Sequence, residues 1–152
     1  SISKLDSSIS NQIYFTLAGN ISKSNFEVNI PELNNIEIIN KYLSEEDVIN
    51  LFKKSDIIIL PYRKTYENDT SGVLVQASLA KRLTICPDFF PFNHVSNKYN
   101  LGVLFEPESS SKLAESIEYV ANNYNDLKTK AQHKNFIENI SSWDDICKKL
   151  DL

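Results

Sequence analysis

Apolar residues along this chain follow two alternating patterns. Short, nearly continuous runs occupy residues 12–17 (QIYFTL), 36–39 (IEII), 57–60 (IIIL), 83–86 (LTIC) and 102–105 (GVLF). Runs of four to six residues rich in Ile, Val, Leu and aromatics suit strands buried in a parallel sheet. Between them the period changes. In residues 44–54, Val48, Ile49, Leu51 and Phe52 share one helical face, and Ser44 with Asp47 three positions on makes a capping-box-like start. Residues 71–81 place Val73, Leu74, Ala77 and Ala80 at helical spacing, and residues 110–123 do the same with Leu113, Ala114, Ile117, Val120 and Ala121. Strands alternating with helices of about ten residues predict βαβ units, with right-handed crossovers that put helices on both faces of a parallel sheet. After residue 122 no further strand is predicted. Residues 125–139 and 142–150 read as two closing helices, and residues 87–100 read as the longest irregular stretch.

Length and charge narrow the possibilities. The chain has 152 residues, enough for one domain over 1–152 with its own core. An apolar fraction of 41% and ample aromatics argue against disorder. The net charge of -4 argues against nucleic acid as a partner, but not against a small phosphorylated ligand. Cys86 and Cys147 have neither disulfide-framework nor metal-ligand spacing, so free thiols in a reducing compartment and no metal are expected. No apolar run approaches the ~18 residues of a membrane span, and no signal peptide is seen. The chain begins at Ser1 in what reads as a frayed helix, so the expectation is a fragment of a longer protein.

In an open parallel sheet, ligands bind beyond the carboxyl ends of the strands. The loop PYRKTYENDTSG (residues 61–72) is the most informative of those ends. It follows a strand and delivers Thr70, Ser71, Gly72 and Val73 to a helix N-terminus. Free amides and the helix dipole there form a phosphate site. Gly72 permits close approach, and Arg63 could add a charged fork. A plain N-cap at residues 69–71 is the ordinary alternative.

From about residue 36 to residue 150 the chain resembles the C-terminal, donor-binding domain of the retaining, group 1 glycosyltransferases of the B-type, two-Rossmann fold. Five pieces carry the resemblance, in family order: KSDIIILP (54–61), SGVLVQA (71–77), LGVLFEP (101–107), LAESI (113–117) and ISSW (140–143). The combination P-Y-R followed by S-G-V-L also looks like a variant linked with surface polysaccharide synthesis. The resemblance implies a Rossmann-like three-layer αβα domain with about five parallel strands and closing C-terminal helices. It implies a nucleoside-diphosphate sugar as donor, no metal or other cofactor, and an N-terminal acceptor-binding domain of the same chain. It also implies a cytoplasmic place, including the inner face of the plasma membrane.

Residue roles carried over by the resemblance fall on the strand-end loops. The family's E-x7-E-A element meets Asn68 and Gln76 here, with Glu67 adjacent to the first position. Glu67 and Asn68 are thus the candidate catalytic contacts to the donor sugar, and Gln76 the ribose contact. Thr70, Ser71, Gly72, Val73 and Arg63 would hold the diphosphate. Gly19 would line the same crevice, and Tyr42 would either stack on the base or pack on the following helix. Asn93 and His94 lie in the loop that in the family wraps the donor sugar. Of Phe89, Phe90 and Phe92, at least two are expected to cover the sheet or an interface. His133 is expected at the surface, and Trp143 in a structural role. The family's usual Gly and Pro after this helix are Lys81 and Leu83 here, and its basic phosphate-binding pair is not found. Three other readings stand beside this one: a same-fold sugar-nucleotide epimerase, a receiver-like or flavodoxin-like interaction module, and a degenerate domain that binds or scaffolds without catalysis. The Ala18-Gly19-Asn20 end of the first strand, which lacks acids, argues against a receiver.

Overall fold

The computed structural model describes residues 2–20, 34–67 and 71–139. Asn68, Thr70, Trp143, Cys147 and the expected helix at 142–150 lie outside the described residues.

All five expected strands are present: β1 (Phe15–Gly19), β2 (Ile36–Asn40), β3 (Ile57–Ile59), β4 (Leu83–Pro87) and β5 (Gly102–Phe105). Every pairing is parallel. They do not form one continuous ladder, however. β1 pairs with β2 in a two-stranded sheet, and β3, β4 and β5 follow in order in a three-stranded sheet. β1 starts later than the apolar run predicts because Gln12 and Ile13 close the turn of a short preceding helix, donating to Ile9 and Ser10 carbonyls. That helix is α1 (Ser7–Ser10), with a 3-10 turn at Ile2–Lys4 before it.

The helices form for the reasons their sequences supply. In α2 (Glu45–Lys54) the Ser44 hydroxyl accepts from the Asp47 N–H and the Asp47 carboxylate accepts from the Ser44 N–H, so the capping box closes. Asp47 is held below its ordinary value by that Ser44 amide and by Lys41 beside it. α3 (Gly72–Leu79) starts from Ser71, and α5 (Ser110–Lys130) from Ser109, whose hydroxyl accepts from the Lys112 N–H.

Three expectations need correction. The stretch 87–100 is not a long irregular loop: it contains α4 (Phe92–Tyr99). Phe92, Val95, Ser96 and Tyr99 lie at i, i+3, i+4 and i+7 and face inward, a period obscured in the sequence by the run of Phe and Pro before it. The helix expected over 125–139 is also different. α5 runs on through a kink at Asn123 to Lys130, and the break falls at residues 131–132, before α6 (His133–Asn139). There the Gln132 N–H turns to the Tyr99 carbonyl (2.8 Å). Finally, His133 is buried, not at the surface.

Two apolar clusters separate the layers. Ile58, Cys86 and Leu104 point to one face, where Leu74 of α3, Phe92 and Tyr99 of α4 and Phe136 of α6 cover them. Ile57, Ile59, Leu83, Ile85, Val103 and Phe105 point to the other, where Leu113, Ile117, Val120 and Leu127 of α5 cover them. Phe15 and Ile36, with Ile2 and Leu5, join this second cluster. The result is the expected αβα arrangement, with the chain returning through each helix to the amino edge.

Candidate functional site

The loop after β3 is shaped by backbone bonds before any side chain acts. Leu60 still donates to the Ile85 carbonyl (2.9 Å), and Tyr62 folds back onto the Leu60 carbonyl (2.9 Å). Arg63 then opens a 3-10 turn at Lys64–Tyr66, closed by the Glu67 N–H on the Lys64 carbonyl (3.0 Å). The next described residue is Ser71, the N-cap of α3. Its hydroxyl accepts from the Leu74 N–H (3.2 Å) and donates to the Tyr62 hydroxyl (3.4 Å).

This cap leaves the helix N-terminus open. Ser71 takes only the Leu74 amide, and the amides of Gly72 and Val73 find no acceptor among the described residues. A Cβ built on Gly72 would meet nothing within 4 Å. Helix N-terminal amides that no described residue occupies can receive an anion. Gln76 lies one turn on from Gly72 and is exposed, as is Gly72. Glu67 and Arg63 are exposed on the same loop.

A residue without an assigned role from the sequence ties this corner together. Tyr62, besides its bond to Ser71, stacks on Phe92 at 5.2 Å between ring centroids and lies 5.4 Å from the ring of Tyr66. Phe92 is the first residue of α4, so Tyr62 joins the beginnings of α3 and α4. Its place directly behind a strand-ending Pro61 was the available signal. Phe89 meets Phe92 edge-on at 5.4 Å, and both are buried, whereas Phe90 is exposed. Two of the three aromatics thus cover the sheet.

The α4 corner carries Asn93 and His94. Asn93 donates through Nδ2 to the Asp88 carboxylate at the end of β4 (3.1 Å), which fixes its orientation. His94 is exposed, with its ring 6.3 Å from that of Phe90, and both border a shallow groove with Asn97 and Lys98. Behind this corner, burial pushes the Cys86 thiol up despite its contact with the Ser96 hydroxyl (3.2 Å). A buried neutral thiol of this kind is packing, not a nucleophile.

Gly19 and Tyr42 belong to the other sheet. Gly19 ends β1 at φ +148, a conformation that favours glycine. Tyr42 is 85% exposed, so it does not pack on α2 and its ring is available to a ligand. Nearby, Lys41 is paired with Asp47 (3.1 Å). Among the described residues no group of three or more His, Cys, Asp or Glu side chains is placed to hold a metal ion. No helix among them is long and apolar enough to cross a membrane.

A layered α/β domain with its open helix N-termini and loops gathered after the strands belongs to the Rossmann-like class. The chain is a member of the group 1 glycosyl transferase family, whose profile matches residues 2–143. The crystal structure of a glycosyltransferase from Rickettsia africae ESF-5 is similar to it with a TM-score of 0.70 and 25% identity, over 91% of this chain and 38% of that one. The crystal structure of Anabaena Alr3699/HepE in complex with UDP-glucose shares the fold at a TM-score of 0.53 and 19% identity, over 69% of this chain and 27% of that one. The chain therefore spans well under half of either protein. No curated protein gives a significant match.

Proposed function

We propose that residues 1–152 are the donor-binding domain of a retaining glycosyltransferase, which moves a hexose from a nucleoside-diphosphate sugar to a glycan or lipid-linked acceptor. The acceptor-binding domain is then the N-terminal part of the same polypeptide. The setting is surface polysaccharide synthesis on the cytoplasmic side, with the whole enzyme at the inner face of the plasma membrane.

One observation carries this reading: the Gly72 and Val73 amides at the start of α3 find no acceptor among the described residues, and a Cβ on Gly72 would meet nothing within 4 Å. A diphosphate seated there accepts both N–H groups and the favourable end of the helix dipole. As the bond to the sugar breaks, negative charge grows on the leaving diphosphate. Donors already aimed at that charge stabilise the transition state without reorganising, so no metal ion is required of this half. Arg63 and the Thr70 hydroxyl add donors around the same phosphates, and the Ser71 hydroxyl joins them by exchanging its Tyr62 acceptor for a phosphate oxygen. Gln76, one helical turn along, offers its amide to the ribose hydroxyls. Tyr42 stacks on the base, and Gly19 keeps the crevice wall free of a side chain. Glu67 and Asn68 meet the donor sugar from the loop, and Asn93 and His94 from the start of α4.

A second reading, a domain that binds the nucleotide without catalysis, is favoured by Gln76, which cannot supply the charge that the resembled family places there. Calorimetric titration with UDP, GDP and ADP tests both, and the UDP-glucose of the Anabaena complex puts UDP first in the panel. Binding of one of them supports the donor site, and transfer by the longer protein then separates catalysis from binding alone. Gly72→Val should weaken that binding by at least about tenfold in a chain that still folds, because a β-branched side chain crowds the phosphate while its Cβ meets nothing within 4 Å. Unchanged affinity in that variant removes the site.

A further inference from the structure

α2, α3 and α5 each open on a serine whose hydroxyl accepts from an amide of the first turn. α4 opens on Pro91, which makes no side-chain cap hydrogen bond. Packing fixes its entry instead. Phe92, its first residue, is buried and meets two rings, Phe89 edge-on and Tyr62 in a stack. Phe89 is three residues upstream, so that contact travels with the corner. The hydrogen bonds of the corner are equally local. The Asn93 side chain donates to Asp88, the Asn93 N–H to the Phe89 carbonyl (3.0 Å) and the Val95 N–H to the Pro91 carbonyl (3.1 Å). Tyr62 is the ring that reaches Phe92 from a different loop.

Tyr62 is itself well anchored. Its N–H bonds the Leu60 carbonyl, and the Leu60 N–H bonds into β4, so its backbone is set by the end of β3. A tyrosine side chain adds two rotatable bonds, and the Phe92 stack holds them. At its far end the hydroxyl accepts from Ser71, the residue that caps α3. One side chain therefore touches the first residue of α4 and the cap of α3. In the donor-binding reading these two helix starts serve different parts of one ligand. The Gly72 and Val73 amides take the diphosphate, and Asn93 and His94 meet the sugar. Diphosphate and sugar are covalently joined, so both seats must lie at one spacing. Misplacement of about 1 Å in such a seat costs on the order of 100-fold in reaction rate.

We propose that Tyr62 is a positioning residue: it sets the distance between the diphosphate seat at α3 and the sugar seat at α4. It thereby lets the domain distinguish a whole sugar nucleotide from the bare nucleoside diphosphate. The inference rests on the donor-binding reading above. Tyr62 acts through Phe92 and Ser71, not on the ligand. Without its ring, Phe92 keeps Phe89 but loses its partner across the corner, and Asn93 and His94 shift relative to α3. The diphosphate keeps its amides, because Ser71 holds the Leu74 N–H with or without Tyr62. The loss therefore falls on the sugar. A residue that merely stabilised the fold would weaken both ligands alike.

Calorimetric titration of the full polypeptide with UDP and with UDP-glucose tests it. GDP and GDP-glucose, or ADP and ADP-glucose, take their place where the wild type prefers those bases. Tyr62→Leu should lower the affinity for the sugar nucleotide at least about fivefold more than that for the nucleoside diphosphate. Tyr62→Phe keeps the ring and loses the hydroxyl, and should hold the ratio of the two affinities within about twofold of wild type. Equal losses of both ligands in Tyr62→Leu overturn the proposal, and so does a Phe variant that behaves as the Leu variant. A wild type that binds none of these ligands removes the donor-binding reading, and this inference with it. If Tyr62→Leu does not fold, amide resonances of the wild type decide. The nucleoside diphosphate, which carries no sugar, should shift Phe92, Asn93 and His94 together with Gly72 and Val73. Shifts confined to the start of α3 overturn the proposal.

Discussion

Gly72 and Gly102 show one residue type serving opposite needs. At Gly72 a Cβ would meet nothing within 4 Å, while at Gly102 a Cβ would stand 1.8 Å from the Thr84 carbonyl oxygen, at the first pair of the β4–β5 ladder. Backbone cannot give way as a flexible side chain can. Gly102→Ala is therefore expected to cost more than about 2 kcal/mol in urea unfolding, and Gly72→Ala to leave stability unchanged within about 0.5 kcal/mol. Lys81 is the reverse case. It holds φ +56 at the turn between α3 and β4, where the resembled family has a glycine. The left-handed backbone is thus retained without the residue that adopts it most easily. Lys81→Gly should raise stability by about 0.5–1 kcal/mol, measured the same way, since relief of the strained conformation exceeds the entropy that glycine adds to the unfolded chain. Neither consequence was legible in the sequence. The 87–100 stretch hid its helix, and a short motif does not display φ or the distance to a neighbouring strand.

At the scale of elements, α6 depends on how it docks. His133 is buried, and neither ring nitrogen has a hydrogen-bond partner among the described residues. Burial holds its proton affinity below the ordinary value of 6.5, and the Lys81 cation adds to that. In the unfolded chain His133 takes up a proton near 6.5, whereas the folded chain resists until lower pH. The unfolded state then binds more protons, so stability falls as pH drops below 6.5 and through the lowered folded value. His133→Leu should flatten the change in urea midpoint between about pH 7 and about pH 5, and leave stability at neutral pH equal or higher. An unaltered pH dependence in that variant would refute the account. The spacing of Leu127, Ala131, Phe136 and Ile137 suggested one helix with His133 on its polar side. In fact the break at residues 131–132 rotates the last segment and brings His133 inward beside Phe136.

For the whole molecule, stability rests on the two apolar clusters and not on charge. The four ion pairs among the described residues are surface pairs, three of them within single helices. Raising salt from roughly 0.1 M to 1 M shortens the Debye length from ~10 Å to ~3 Å, and should shift the melting temperature by less than about 4 °C in a calorimetric scan. The sequence by itself determined the five strands, the capping box at Ser44, the layered α/β class and the family, because each is written in local periodicity, in cap chemistry or in the order of short motifs. Only the tertiary structure decided the break between β1 and β3, the burial of His133, the exposure of Tyr42 and the joining of α3 to α4 through Tyr62. Those features depend on which distant segments meet. A periodic pattern states that a face must be covered, but leaves open what covers it and which backbone edges are left unpaired.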